Sequence, residues 1–156
     1  MSIFDKFAKK INAEELAASQ AEISKNASGD YPEIPVGKYE VNVSKIEAKM
    51  SSKNNPMVTI WFKILEGKYK DGIIFYNGTY HEDWMRHRVV DLLSTILDDD
   101  KHKAEINLIL KDYDVNVVND FVMDIHEQID GKFEYLLDYG LKKSYNTYTI
   151  EEVFEV

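Results

Sequence analysis

Apolar and polar residues alternate along three consecutive stretches of the chain, which is the pattern of strands with one buried face. The alternation predicts strands over about residues 37–50, 57–66 and 72–79, joined by two turns that are rich in lysine. In the first strand the apolar phase shifts by one residue near Ser44 and Lys45, which indicates a β-bulge and a bend. The pattern therefore begins with a curved three-stranded meander.

A helical spacing of apolar residues replaces the alternation after Asn77-Gly78, a turn dipeptide at which we expect the third strand to end. The later helices are predicted over about residues 82–97, 104–110 and 115–129. An amphipathic stretch over residues 3–23 predicts a further helix before the sheet, or two short ones, because Asn12 and Glu15 resemble a capping box.

Two more alternating stretches end the chain and predict a hairpin that turns at the residues Ser-Tyr-Asn, 144–146. Five strands with a helical element between the third and fourth is the layout of an OB-fold. We therefore expect a mainly β protein with some α structure, built as a five-stranded OB-fold-like barrel. The expected domain covers residues 31–156 with a helical insertion at about 81–130, and residues 1–30 supply the N-terminal helix and a linker.

The composition is that of a soluble globular protein, and it excludes several classes of site. The 156 residues are 44% hydrophobic and 30% charged, and none is cysteine, which excludes disulfides, thiolate metal sites and cysteine nucleophiles. No stretch approaches the roughly 18 apolar residues of a membrane span, and the charged N-terminus does not resemble a secretory signal. We expect a bacterial cytoplasmic protein with no membrane partner.

The net charge of −9 argues at first against nucleic acid, because phosphates are repelled by an acidic surface. The distribution changes this interpretation. Residues 31–90 carry 9 Lys or Arg against 7 Asp or Glu, whereas residues 91–130 carry 3 against 11. We call residues 91–130 the acidic block. The predicted meander is thus slightly basic, and most of the excess acid lies in the predicted helices.

No motif marks a catalytic or metal site. The four histidines have no ligand spacing, the run Asp98-Asp99-Asp100 lacks converging partners, and there is no glycine-rich phosphate loop. We therefore expect a protein that is not an enzyme and carries no cofactor or metal. A metal-dependent nuclease whose carboxylates converge only on folding stays open as an alternative.

The meander and the C-terminus carry a family resemblance. The matching elements are the entry strand Gly37–Val43, the turn into Asn55-Pro56-Met57, the Gly67–Gly72 turn into Ile73–Phe75, and the ending SYNTYTIEEVFEV. In this ordered set the chain resembles a family of small phage proteins, many first catalogued as a phage domain of unknown function. They are regarded as OB-fold single-stranded DNA-binding proteins of replication and recombination modules. The resemblance implies single-stranded DNA binding in an infected or lysogenic bacterium, with phage recombination or replication proteins as further partners.

Aromatic residues outside the apolar phase are the first candidate contacts. Trp61 alternates with the apolar residues of the second strand, so it faces outward and could stack on a base. The alternative is a Trp covered by the N-terminal helix or by a second copy of the chain. Phe75 and Tyr76 are adjacent in a strand, so one of the two rings must face outward.

Basic residues near these rings complete the predicted DNA-binding set, although each lysine alone could be an ordinary solubilising charge. Arg86 could grip a phosphate, or it could pair with Glu82 or Asp91 along its helix. The complete predicted nucleic-acid-binding set is Lys49, Lys53, Trp61, Lys63, Lys68, Tyr69, Lys70, Phe75, Tyr76, Arg86, Lys142, Lys143 and Tyr145.

The acidic block supports a rival hypothesis. In that version the protein is an interaction module, and the acidic block mimics nucleic acid toward a basic host or phage protein. The sequence leaves the oligomeric state open, and helix 3–23 could pair two copies as a homodimer.

Overall fold

The computed structural model describes residues 33–156. The chain divides into two compact units, Met1–Ile34 and Pro35–Val156, and nearly all of the first lies outside the described residues. The predicted helix over residues 3–23 therefore lies outside them too. The second unit is mainly β with helices, and in residues 33–156 no helix is both long and apolar enough to cross a membrane.

Five antiparallel strands form one sheet in the order β3-β2-β1-β4-β5. The strands are β1 (Gly37–Met50), β2 (Pro56–Ile64), β3 (Ile73–Thr79), β4 (Phe133–Lys142) and β5 (Tyr145–Glu155). The predicted meander is confirmed to within two residues at each strand end. The final residues belong to β5, as the alternation at the C-terminus indicates.

Three helices lie between β3 and β4, where the sequence predicts them. They are α1 (Asp83–Leu97), α2 (Lys103–Asp112) and α3 (Val115–Ile129). The start of α3 is fixed by Asp114, whose side chain accepts hydrogen bonds from the backbone N–H groups of Asn116 and Val117.

The core lies on the inner face of the sheet. The predicted alternation of β2 is confirmed, because Val58, Ile60, Phe62 and Ile64 are all fully buried. The buried stripe of α3 packs against β1; its members are Val118, Val122, Ile125 and Ile129. One core thus holds the sheet and the helical block together.

The predicted bulge is present in β1, where the pairing with β2 shifts register between Val43 and Lys45. The pairing of β1 with β4 ends at Val41, so the edge of β1 beyond that residue needs other partners. Helix α3 supplies them. The Ala48 N–H donates to Asn119 Oδ1 at 2.9 Å, and His126 Nε2 lies 3.1 Å from the Val43 carbonyl oxygen.

The sheet does not close into the expected barrel. In residues 33–156 no ladder joins the edge strands β3 and β5. Instead the Tyr148 hydroxyl of β5 donates to the Phe75 carbonyl of β3 at 2.9 Å, and its ring lies 5.0 Å from that of Tyr76. A ladder needs backbones about 4.8 Å apart, and a tyrosine side chain reaching between the edges keeps them wider. Helix α1 contacts both edge strands.

Two turn predictions are wrong. Asn77 and Gly78 lie within β3, paired with Thr59 and Val58, and the strand continues to Thr79. Gly78 instead leaves room for the Tyr76 side chain, because a Cβ at position 78 would lie 2.3 Å from the Tyr76 hydroxyl oxygen. The last hairpin turns at residues 143–144, one residue earlier than predicted.

Candidate nucleic-acid interface

The outer face of β1, β2 and β3 carries a row of one cation and two rings. Trp61 pairs across the ladders with Lys45 on one side and Phe75 on the other. The Lys45 ammonium lies 4.8 Å from the centre of the Trp61 ring, and the Trp61 and Phe75 rings meet edge to face at 5.2 Å. Both rings are partly exposed. Phe75 is therefore the outward member of the Phe75–Tyr76 pair.

Lys45 is a candidate that the sequence prediction missed. Its position depends on the bulge, which rotates the second half of β1 and brings Lys45 opposite Trp61. The phase shift in the sequence locates the bulge, but the pairing of Lys45 with Trp61 also depends on the register between β1 and β2. Its ammonium also lies 3.4 Å from a carboxylate oxygen of Glu47, so a phosphate would compete with that ion pair.

The row extends along β2 in both directions. Lys63 is partly exposed on the same face, and its ammonium nitrogen lies 3.6 Å from a carboxylate oxygen of Asp71. Thr59, on the other side of Trp61, is only 4% exposed and donates to Asn77 Oδ1 at 3.0 Å. Lys49 pairs with Met57 at the far end of this face. We call the outward side of β1–β3 with its flanking turns the basic face.

Two lysine-bearing turns leave the sheet at the same end. The first residues of β1 pair with the last residues of both β2 and β4, so the turn 65–72 and the β4–β5 turn leave from that end. The predicted residues that lie at this end of the sheet are Lys63, Lys68, Tyr69, Lys70, Lys142, Lys143 and Tyr145. Lys53, in the turn after β1, lies at the opposite end of the sheet with Lys49.

The ring of Tyr69 packs its own turn against β1. Its ring meets that of Tyr39 edge to face at 6.2 Å, and the Lys68 ammonium lies 5.6 Å from its centre. Burial raises the pKa of Tyr39, whose hydroxyl donates to the Pro35 carbonyl at 2.6 Å. Tyr69 thus packs its turn, and base stacking by this ring stays a prediction.

Tyr76 lies on the inner side, away from the row of rings. It pairs with Ile60 of the core face, and burial raises its pKa to about 12. Its ring contacts that of Tyr148, which in turn lies 5.5 Å from Tyr139. Tyr76 therefore belongs to the tyrosine cluster between the sheet edges, and we leave it out of the candidate interface.

Arg86 is also placed away from the basic face. It is buried, pairs with Asp83, and donates to Asn107 Oδ1 at 3.0 Å and to the Tyr80 carbonyl at 3.3 Å. The guanidinium links the end of β3 to helices α1 and α2. These bonds give Arg86 a role in holding the fold together. The predicted alternative of helix pairing holds in kind, but the partner is Asp83 at i−3 and not Glu82 or Asp91.

Within residues 33–156 no three His, Asp or Glu side chains converge in a way that could hold a metal ion. Asp99 is instead used locally: its carboxylate accepts from the Lys101 N–H at 2.8 Å and lies 2.7 Å from His102 Nδ1.

One family model matches the chain. It is described as "Protein of unknown function (DUF669)" and matches residues 20–92, just under half of the sequence. The match takes in β1, β2 and β3, and it ends within α1. No curated protein matches the chain significantly. The chain is thus similar to this family over the strands that carry the basic face.

Proposed function

We propose that this protein binds single-stranded DNA along its basic face, with little preference for base sequence. The observation that carries the proposal is the row Lys45–Trp61–Phe75 on the outward side of the sheet, flanked by lysine-bearing turns at both ends. Rings that stack on bases and lysines that neutralise phosphates are the two elements of sequence-tolerant binding to single strands. This function requires only binding to the strand. Under the proposal, therefore, the protein is not an enzyme.

The strand order supports an OB-fold relationship. Opening an OB barrel between its third and fifth strands gives the order β3-β2-β1-β4-β5, and Tyr148 joins those two edges here. OB-folds are partly open barrels that bind oligonucleotides on the face of strands 2 and 3 and on the adjoining turns. The basic face occupies the corresponding region.

The proposed setting follows from the resemblance of the meander and the C-terminus to the phage family. In that setting the protein would coat single strands during phage replication or recombination in the bacterial cytoplasm. The acidic block does not oppose this role, because its charge is carried by the helical insertion rather than by the outer face of β1–β3.

Fluorescence anisotropy with a labelled 20-nucleotide dT strand tests the proposal. Trp61→Ala should weaken binding by about 5- to 160-fold, the loss expected for one base-stacking ring. Trp84→Ala is the matched control, because Trp84 is 56% exposed at the start of α1, off the outer face of the sheet. Urea unfolding of both variants shows whether the fold is retained.

The lysines are tested by a second matched pair. Lys68→Ala with Lys70→Ala should weaken binding and lower the dependence of log affinity on log salt by about 1.4. Lys101→Ala with Lys111→Ala removes the same charge from exposed positions of the acidic block and should leave the slope unchanged. Equal losses in both pairs, or no binding of dT by the wild-type protein, would contradict the proposal.

A further inference from the structure

Helices α2 and α3 leave an apolar groove on the surface of the acidic block. The groove has a volume of about 350 Å³, and its apolar walls are Ile109 and Tyr113 on one side and Val117 and Phe121 on the other. Tyr113 and Val117 are 56% and 42% exposed. The residues that α2 and α3 bury against the core are different ones. The apolar residues of the groove therefore form a separate apolar surface outside the core.

The charge around this groove has a single sign. The charged residues that line it are Asp120 and Asp124, which lie one turn apart on α3 and are both exposed. They belong to the acidic block, with its 3 basic and 11 acidic residues. An apolar floor beside carboxylates is complementary to a ligand that is apolar on one side and positively charged on the other.

The shape of the groove favours a helix as that ligand. Val117, Phe121 and Asp124 follow one another at intervals of four and three residues along α3, so they form a lane about 10 Å long. A partner helix laid along this lane would insert apolar residues from successive turns between Tyr113 and Phe121. Its lysines or arginines would then face Asp120 and Asp124.

We propose that the groove between α2 and α3 binds a cationic amphipathic helix of a partner protein. Nucleic acid is disfavoured there because its phosphates would meet the two carboxylates. The proposal does not rest on DNA binding, since none of the groove residues belongs to the basic face. It gives the acidic block a defined contact in place of a general mimicry of nucleic acid.

The direct test is fluorescence anisotropy with labelled 18-residue peptides and the full chain. The probe is a Leu/Lys peptide with leucines at i, i+3, i+4 and i+7, and its counterparts are a Leu/Glu peptide of the same pattern and a Leu/Lys peptide with scrambled order. We expect saturable binding of the patterned Leu/Lys peptide. The scrambled peptide should bind at least about fivefold more weakly, and the Leu/Glu peptide should not bind.

Variants then locate the contact. Asp120→Asn with Asp124→Asn should weaken peptide binding about fivefold, and Val117→Asn should weaken it by a similar factor. Asp100→Asn with Glu152→Gln is the matched control, because it removes two exposed carboxylates outside the groove. These three variants, two double and one single, should keep the circular dichroism spectrum and the dT affinity of the wild-type protein.

Several results would overturn the proposal. They are no binding of the patterned Leu/Lys peptide, equal binding of the Leu/Glu or scrambled peptide, or equal weakening by the control variant. Methyl NMR gives an independent readout at the groove itself. The signals of Ile109 and Val117 should shift on addition of the patterned peptide, and shifts confined to other methyl groups would place the contact elsewhere.

Discussion

The basic face and the groove between α2 and α3 differ in both charge and construction. On the basic face, Lys45, Trp61 and Phe75 form a row across three strands, and the polar pair Thr59 and Asn77 lies beside the two rings. In the groove, four apolar side chains adjoin one another and the charged neighbours are carboxylates. The first arrangement suits a flexible polyanion, whereas the second suits a rigid amphipathic cation.

This difference shows why the net charge of −9 is a poor guide to the partners of this chain. Screening limits the reach of surface charge to about 8–10 Å at physiological salt, so each surface acts mainly through its own neighbours. The two surfaces nevertheless share one core, because α3 packs on β1. Substitutions can therefore break both surfaces together or alter one of them alone.

The largest effect is expected from Phe62→Ala. Phe62 is fully buried on the inner face of β2, and removing such a ring costs about 3–5 kcal/mol of unfolding free energy. Both the basic face and the groove should be lost in a single unfolding transition, measured by urea denaturation. Lys63→Ala, on the other face of the same strand, should change stability by less than about 0.5 kcal/mol. Similar costs for the two variants would contradict the assignment of faces.

The connection between the two regions is tested by Arg86→Gln. This change removes the pairing with Asp83 and weakens the bonds to Asn107 and Tyr80, so we expect a loss of about 2 kcal/mol in unfolding free energy. Arg88→Gln is the matched control, since Arg88 is exposed on the same helix, and should cost less than about 0.5 kcal/mol. Unchanged stability with weaker dT binding would mean that Arg86 contacts phosphate after all.

Tyr148→Phe tests the contact between the edge strands β3 and β5. The substitution keeps the ring and removes the bond to the Phe75 carbonyl, which should cost about 1 kcal/mol in urea unfolding. Tyr145→Phe removes a hydroxyl from an exposed ring in the same strand and should cost nothing measurable. Equal costs would indicate that β3 and β5 are held together by packing alone.

The smallest effect concerns pH and belongs to the acidic block. The hydrogen bond that the His102 ring donates to the Asp99 carboxylate raises the pKa of His102 above 6.5. The hydrogen bonds that Asp99 accepts from the Lys101 N–H and from His102 lower the pKa of Asp99 below 3.8. The contribution of His102 to the unfolding free energy is complete below pH 6.5, and it is lost as pH rises through the folded-state pKa of His102. The aspartate contribution is present above pH 3.8 and is lost as pH falls through its folded pKa.

The stability difference between the wild type and His102→Gln should therefore be largest between about pH 4 and 6.5. Urea unfolding across this range measures it, and an NMR titration of His102 checks the cause. A His102 pKa at or below 6.5 would contradict the interaction. The dT affinity should show no matching change, because this pair lies outside the basic face.

The sequence predicted the elements of this fold well because their periodicities are strong. The alternation of Val58, Ile60, Phe62 and Ile64 defines β2, and the phase shift near Ser44 locates the bulge. The turn at Asn77-Gly78 was mispredicted because a local dipeptide preference was weaker than pairing with β2. The missing barrel closure could not be read from periodicity, because it depends on how the Tyr76 and Tyr148 rings pack between the edges.

The candidate site was only partly predictable for a similar reason. Alternation alone places Trp61 and Lys63 on the outer face, and turn composition locates Lys68 and Lys70. Lys45 required cross-strand register, which a single strand pattern does not supply. Arg86 shows the opposite case, because a residue next to exposed positions on α1 is buried and bonds to Asn107, which lies 21 residues further along the chain.

The most direct test of the central claim is an anisotropy titration of labelled dT with the full chain at 50 and 200 mM salt. If the lysines of the basic face neutralise about five phosphates, the affinity should fall about 100-fold between these conditions. The account predicts that fall together with similar affinities for dT and mixed-sequence strands. An affinity that does not change with salt, or no binding at 50 mM, would contradict it.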